Sequence, residues 1–267
     1  MLKESKSFLT LTRWDNFKGL RHFITTRNGG CSPEPYSSLN LGLGTEDNPA
    51  NVINNRKTLA SSLDIPLESF IMLNQVHGKE VAVVDASMKG KGAFDRESAI
   101  RETDAMITNQ PDICLFIMAA DCVPLLFFDP VKRVIGVAHA GWRGTVQKIG
   151  VKTVQKMNSE YDSKFADIHV IIGPSIGSCC YQVGHEVVKA VEDSFGSTQS
   201  YIYQRQPDTT NFDLWYANKA QLVEIGVDAQ NIEIIGMCTQ CHHDKFFSSR
   251  HGKGITGRFG AGILLNS

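Results

Sequence analysis

The chain has no window near the roughly 18 consecutive apolar residues that a membrane-crossing helix needs. Its first residues, MLKESKSFLTLTRW, contain no apolar core of a secretory signal. It has no surplus of either charge: 27 Lys and Arg face 28 Asp and Glu, for a formal net charge of -1. No global field therefore draws nucleic acid or an anionic membrane, and a phosphate must be met by a local arrangement of arginines and backbone N–H groups. A Pro/Ser/Gly-rich linker, a charge block, a low-complexity tract and a fixed-period repeat are all missing, which favours one domain over residues 1–267. Disulfide-framework spacing is missing too. Seven cysteines, an odd number, read as reduced thiols in a cytoplasmic protein.

What is present suffices for a substantial core, with 42% hydrophobic and 21% charged residues. Apolar spacing predicts a helix over 51–63 with Asn51 as its cap, and strands at 69–74 and 79–85. The polar, glycine-bearing interval 86–101 reads as a loose loop. Strands follow at 105–108, 113–119, 124–128 and 133–138, then a helix from Val146 to about residue 159. A strand at 167–172, helices at 184–195 and 212–225 and a strand at 231–236 complete a mixed α/β pattern.

The densest chemistry lies in AADCVPLLFFDPVKRVIGVAHAGWRGT, residues 119–145. Cys122 follows the run 113–120 and His139 follows the run 134–138, so both side chains emerge at strand ends, where a rigid scaffold holds reactive groups. With His77 of NQVHG they supply two imidazoles and a thiolate, a tetrahedral zinc shell with one open position, as catalytic zinc requires. No HExxH or paired CxxC clips these ligands together locally. The competing reading is two hydrogen-bonded histidines and a buried hydrophobic cysteine. HAGWRGT could also seat an anion on its backbone N–H groups, with Arg143 forking onto phosphate oxygens, or it could be only a tight turn with a surface arginine. Arg27 and Arg250, in glycine-flanked polar loops, are anion clamps or solvated arginines on equal terms. Cys179–Cys180 and the CTQC of 238–241 read as structural or incidental, because one CxxC without a second pair leaves a zinc site incomplete.

A resemblance covers most of the chain. TTRNGG at 25–30, SLNLG at 38–42, NQVHG at 74–78, TDAMIT at 103–108, AADCVPLLFFD at 119–129, VAHAGWRGT at 137–145, GPSIGSCCYQVG at 173–184 and FFSSRHGKGITGR at 246–258 carry it. In these motifs, in this order, the sequence resembles the zinc-containing purine nucleoside phosphorylases with adenosine deaminase activity, formerly described as polyphenol oxidase or "laccase domain" proteins. The resemblance implies a mixed α+β layered sandwich similar to the catalytic domain of cytotoxic necrotizing factors. It implies one zinc per chain held by His77, Cys122 and His139, with copper as the second candidate metal. Purine nucleosides and inorganic phosphate are the implied partners. The chain departs from the family pattern at His251, where the pattern has a second basic residue, and at Gly252 to Gly254.

Under this reading zinc lowers the pKa of water toward about 7 for attack at C6 of adenine. Asp121, beside Cys122, is the candidate acid/base, or else a turn residue. In phosphorolysis, phosphate attacks C1′ of the ribose as the purine leaves; Arg27, Arg143 and Arg250 would hold the phosphate, and Asn40 would read the edge of the base or cap its turn. Three rivals compete. A multicopper oxidase needs many histidines, usually in HxH pairs, and this chain has 8 His and no HxH. A cysteine hydrolase would use Cys122 as nucleophile and His139 as base without metal. A zinc-dependent binding module would present an apolar surface patch and turn nothing over.

Overall fold

Strands buried on both faces dictate a layered molecule. A computed structural model describes residues 1–206 and 209–267. In chain order its strands are β1 (Leu2–Glu4), β2 (Phe8–Leu11), β3 (Leu20–Thr25), β4 (Phe70–Met72), β5 (Val81–Val83), β6 (Ala105–Thr108), β7 (Cys114–Ala119), β8 (Val123–Asp129), β9 (Val134–Ala140), β10 (His169–Ile172), β11 (Ile202–Gln206), β12 (Thr209–Phe212), β13 (Ile232–Ile234) and β14 (Phe259–Leu265). The helices are α1 (Pro49–Leu63), α2 (Trp142–Val146), α3 (Ile149–Tyr161), α4 (His185–Phe195) and α5 (Leu214–Glu224). Two six-stranded sheets have the orders β1-β2-β3-β14-β7-β4 and β13-β10-β8-β9-β6-β5, and β11 pairs with β12.

Alternation along the strands sorts the core into layers. On β7, Leu115 and Ile117 face β8 residues Leu126 and Phe128 across the space between the sheets. Phe116 points the other way, toward Leu59 and Leu63 of α1. On β8, Leu125 and Phe127 meet Ile149, Val154 and Met157 of α3 and Leu222 of α5. The result is a mixed α+β sandwich with helices outside each of two packed sheets, as the sequence predicts. Among the described residues no helix is long and apolar enough to cross a membrane.

Local differences from the sequence reading have identifiable causes. Helix α1 starts at Pro49, because the side chain of Asn48 accepts the N–H of Ala50 and proline suits the first turn; Asn51 is inside the helix. The helix expected from Val146 starts at Ile149 as α3, separated from the short α2 where Lys148 takes a left-handed φ of 61°. His139 lies within β9 instead of after it. The loop 86–101 is anchored, not loose: buried Arg56 of α1 donates to the carbonyls of Gly92 (2.6 Å) and Ala93 (2.8 Å). Strand β14 escapes a periodicity search because Gly260 and Gly262 interrupt it. A Cβ there would lie 2.0 Å from Phe116 Cζ and 2.4 Å from Phe23 Cζ, so the two rings cover the bare backbone.

One buried histidine ties acidity to stability. His22 on β3 is 5% exposed, and its Nε2 accepts the N–H of Leu11 at 2.8 Å. Burial, only partly opposed by Asp15, pushes its pKa down from 6.5 to about 4. Between those values the unfolded chain takes up a proton that the folded chain refuses, so stability falls as the pH falls through that window. The slope approaches about 1.4 kcal/mol per pH unit and the loss about 3 kcal/mol by pH 4. Denaturant unfolding of wild type and His22→Gln at pH 7, 6 and 5 should show the variant losing less stability across that range. Parallel curves would assign the acid sensitivity to other groups.

Candidate metal centre and cavity

The loop between β4 and β5 carries His77, the turn between β7 and β8 carries Cys122, and β9 carries His139. One ligand atom from each lies within 4.8 Å of the others. Residues separated by up to 62 positions meet because β9 pairs with β6 and β8, while the side chain of Gln75 forms two hydrogen bonds with the backbone of Met118 (2.8 and 2.9 Å). That second link pins the His77 loop to the edge of β7.

Asp104, which sequence reasoning missed, organises the group. Fully buried at the start of β6, its carboxylate accepts the backbone N–H groups of Val76 (3.0 Å), His77 (3.0 Å) and Gly78 (2.7 Å). It also accepts Nδ1–H of His139 at 2.9 Å, which leaves Nε2 free for the site, the usual carboxylate–histidine–metal relation. Burial disfavours its charge, but these donors hold its pKa below the ordinary value. The signal was available as the aspartate second in the TDAMIT motif. Gly141 also acquires a reason: a Cβ there would sit 2.8 Å from Cys122 Sγ and 3.2 Å from His77 Cδ2.

Electrostatics suit a cation or a reactive thiolate. Burial opposes ionisation of Cys122, yet the neighbouring His139, assisted by His77, brings its pKa down to about 6. Burial likewise opposes the charge on His139, and the Cys122 thiolate and Asp104 outweigh it, raising its pKa to about 9. Two imidazoles and a ready thiolate form a donor set that zinc accepts, and His77 is exposed toward the cavity, so the shell is open on one side.

The cavity above this group measures about 790 Å³ and combines apolar walls, including Met72, Met118 and Ile176, with Arg56, Arg96, Arg250, Lys253 and Arg258. Asp121 is the one acid in its lining among the described residues. It adopts a φ of 88°, Oδ1 accepts the Thr239 hydroxyl at 2.6 Å, and Oδ2 accepts the Arg250 N–H at 2.7 Å. Left-handed backbone at a non-glycine residue is uncommon and recurs at functional sites. His77, at φ 61°, shares it.

Not every expected anion ligand reaches this space. Arg250 does, bracing its guanidinium on the carbonyls of Cys180 (3.3 Å) and Gln182 (2.8 Å). Arg143 is exposed, stacked over Trp142 at 4.3 Å and outside the cavity lining. Arg27 donates to the carbonyls of Ser37 (2.7 Å) and His243 (2.8 Å) and lies over Phe247, joining loops away from the cavity. Asn40 is fully buried and reads no base edge: it binds Thr45 and Asp47 and accepts the N–H of Arg258 at 2.8 Å. Its service to the cavity is to hold Arg258, which belongs to the last motif of the resemblance.

A second ligand group lies outside the cavity lining. Cys179, Cys180, Cys238 and Cys241, all free thiols, bring their sulfurs within 4.8 Å of one another. CTQC therefore does have a second pair, supplied by the vicinal cysteines, which the reading of these residues as structural or incidental does not join to it.

Fold and site together define a layered α+β protein with an open His₂Cys group able to hold a metal, beneath a cation-rich cavity. Residues 21–266 match the family described as multi-copper polyphenol oxidoreductase laccase. The chain belongs to that family. It is 38% identical to purine nucleoside phosphorylase YlmD of Bacillus subtilis over 235 residues, 88% of this chain and 84% of that protein. It is 35% identical to adenosine deaminase RL5, from an unknown prokaryotic organism, over 92% of this chain and 94% of that protein. The crystal structure of YlmD from Geobacillus stearothermophilus superposes with a TM-score of 0.94 at 36% identity, covering 99% of this chain and 98% of that one.

Proposed function

We propose that the cavity binds a purine nucleoside together with inorganic phosphate and cleaves the bond between base and ribose by phosphorolysis, and that the same cavity deaminates adenosine. The observation that carries this reading is the placement of the His77–Cys122–His139 group at a cavity whose lining offers five cationic side chains and a single carboxylate. The names of the relatives, a purine nucleoside phosphorylase and an adenosine deaminase, support it. His77, Cys122 and His139 would hold zinc, which when bound supplies Lewis-acid polarisation and activation of water.

The chain's own residues do the rest. Arg250, braced by two carbonyls, keeps further N–H donors for phosphate oxygens, and Arg258 with Lys253 adds positive charge opposite the same space. Phosphate held there faces the positive charge that develops at C1′ as the purine departs. Asp121 keeps a lone pair on each oxygen beyond its bonds to Thr239 and Arg250, and it moves the proton to or from the purine nitrogen. Apolar Met72, Met118 and Ile176 give the base a dry wall.

A second reading has its own observation: a thiolate with a pKa near 6 beside an imidazolium is the resting state of a Cys–His nucleophile. Chromatography of the products from adenosine separates these readings. Adenine and ribose 1-phosphate formed only with phosphate indicate phosphorolysis, and inosine formed with or without phosphate indicates deamination. Untouched adenosine, together with a hydrolase activity that survives chelation and dies on alkylation of Cys122, would replace both with the thiol hydrolase.

A further inference from the structure

The four clustered cysteines are not explained by the cavity chemistry, and their geometry is that of a built ligand set. Two tight turns each present a pair. In the first, the N–H groups of Cys180 (2.9 Å) and Tyr181 (3.0 Å) both reach the carbonyl of Gly177. In the second, the N–H of His242 reaches the carbonyl of Cys238 at 2.9 Å. A parallel bridge between Ser175 and Cys238 locks the turns face to face, with Thr239 N–H donating to the Ser175 carbonyl at 3.0 Å. Gly177 permits the approach, since a Cβ there would stand 2.9 Å from Trp215 and 3.3 Å from both Cys179 Sγ and Cys238 Cβ.

The sulfur spacing fits a tetrahedral thiolate shell. Zn–S bonds of about 2.3 Å in a tetrahedron put neighbouring sulfurs about 3.8 Å apart. Cys241 Sγ lies 3.7 Å from Cys179 Sγ and 3.5 Å from Cys180 Sγ. A disulfide would need about 2.05 Å.

We propose that Cys179, Cys180, Cys238 and Cys241 form a closed tetrathiolate zinc site, separate from the His77–Cys122–His139 group. On binding, four S–H bonds give way to four Zn–S bonds and the protons pass to solvent, with no oxidant or reductant involved. The site has no open position, so its role is architectural. It staples the turn leading to Tyr181 onto the turn holding Thr239, and these two residues respectively line the cavity and bind Asp121. The inference is independent of the purine reading, because four ligands would be stapled whatever the cavity binds.

The test uses full-length protein and metal alone. Wild type purified with zinc should hold two zinc ions per chain, and Cys238→Ser/Cys241→Ser should hold one. Cobalt loaded into Cys122→Ala should give the intense visible bands and sulfur charge transfer of a tetrahedral thiolate site. In wild type, zinc should protect these four cysteines from alkylation, and a chelator should expose them, which requires no variant to fold. The proposal is overturned if zinc leaves the alkylation rates of all four unchanged, or if intact mass shows a disulfide among them in the reduced preparation.

Discussion

Cys122→Ala should remove the metal from the cavity group and lower kcat/KM for nucleoside turnover by about 10³-fold or more, the scale of a lost Lewis acid. The shell has only three protein ligands, and Cys122 is the only anionic one. Without it two imidazoles remain, one of them exposed. The variant should fold normally, because the sulfur is half-buried at the cavity and leaves no hole in a closed core. Metal analysis should find one zinc fewer than in wild type. Full zinc retention with normal turnover would remove Cys122 from the site. The same sulfur can be followed in metal-stripped wild type. With a thiolate pKa near 6, set by His139 against the cost of burial, its alkylation rate should reach half its maximum near pH 6, falling below that pH as the sulfur is protonated.

Asp104→Asn should weaken zinc binding 10–100-fold although Asp104 touches no metal. Its carboxylate accepts four donors, three from the backbone of the His77 loop and one from the His139 ring. Asparagine keeps one acceptor and turns an NH₂ toward donors, so at least two of these bonds fail. Hydrogen bonds to a charged group contribute about 1.5–3 kcal/mol each, and the loss of two should cost about 3 kcal/mol or more. Competition with a coloured chelator measures the affinity, and denaturant unfolding of the zinc-free protein measures the fold. Zinc affinity within about threefold of wild type would mean that other contacts position His77 and His139.

The parts of this molecule visible in its sequence are those that depend on neighbours in the chain. Strands β6, β7, β8 and β10 stand out as apolar runs, and His77, Cys122 and His139 as ligand types in ordered motifs. What stayed hidden depends on partners far away. Strand β14 has no counterpart in the sequence reading, and its Gly260 and Gly262 are covered by the rings of Phe116 and Phe23. The loop 86–101 reads as loose until Arg56, on a distant helix, binds its carbonyls. Cys179–Cys180 and CTQC look structural or incidental at a separation of nearly 60 residues, until the Ser175–Cys238 bridge brings the two turns together. Arginine chemistry was legible by type and not by direction: Arg250 faces the cavity, while Arg27 and Arg143 spend their guanidinium groups on carbonyls or aromatic rings elsewhere.

Strand β14 follows every other strand in the chain yet lies inside the first sheet, between β3 and β7. A ribosome must therefore deliver residues 20–25 and 114–119 long before the segment that joins them, and until then two inner strand edges stand open. Cavity residues Arg250 and Arg258 arrive just ahead of that closing strand. Folding is thus dominated by contacts of high sequence separation, the regime of slow folding and of exposure to aggregation during synthesis. Any chain that stops short of Phe259 is left with an unclosed sheet, so the protein cannot work in instalments.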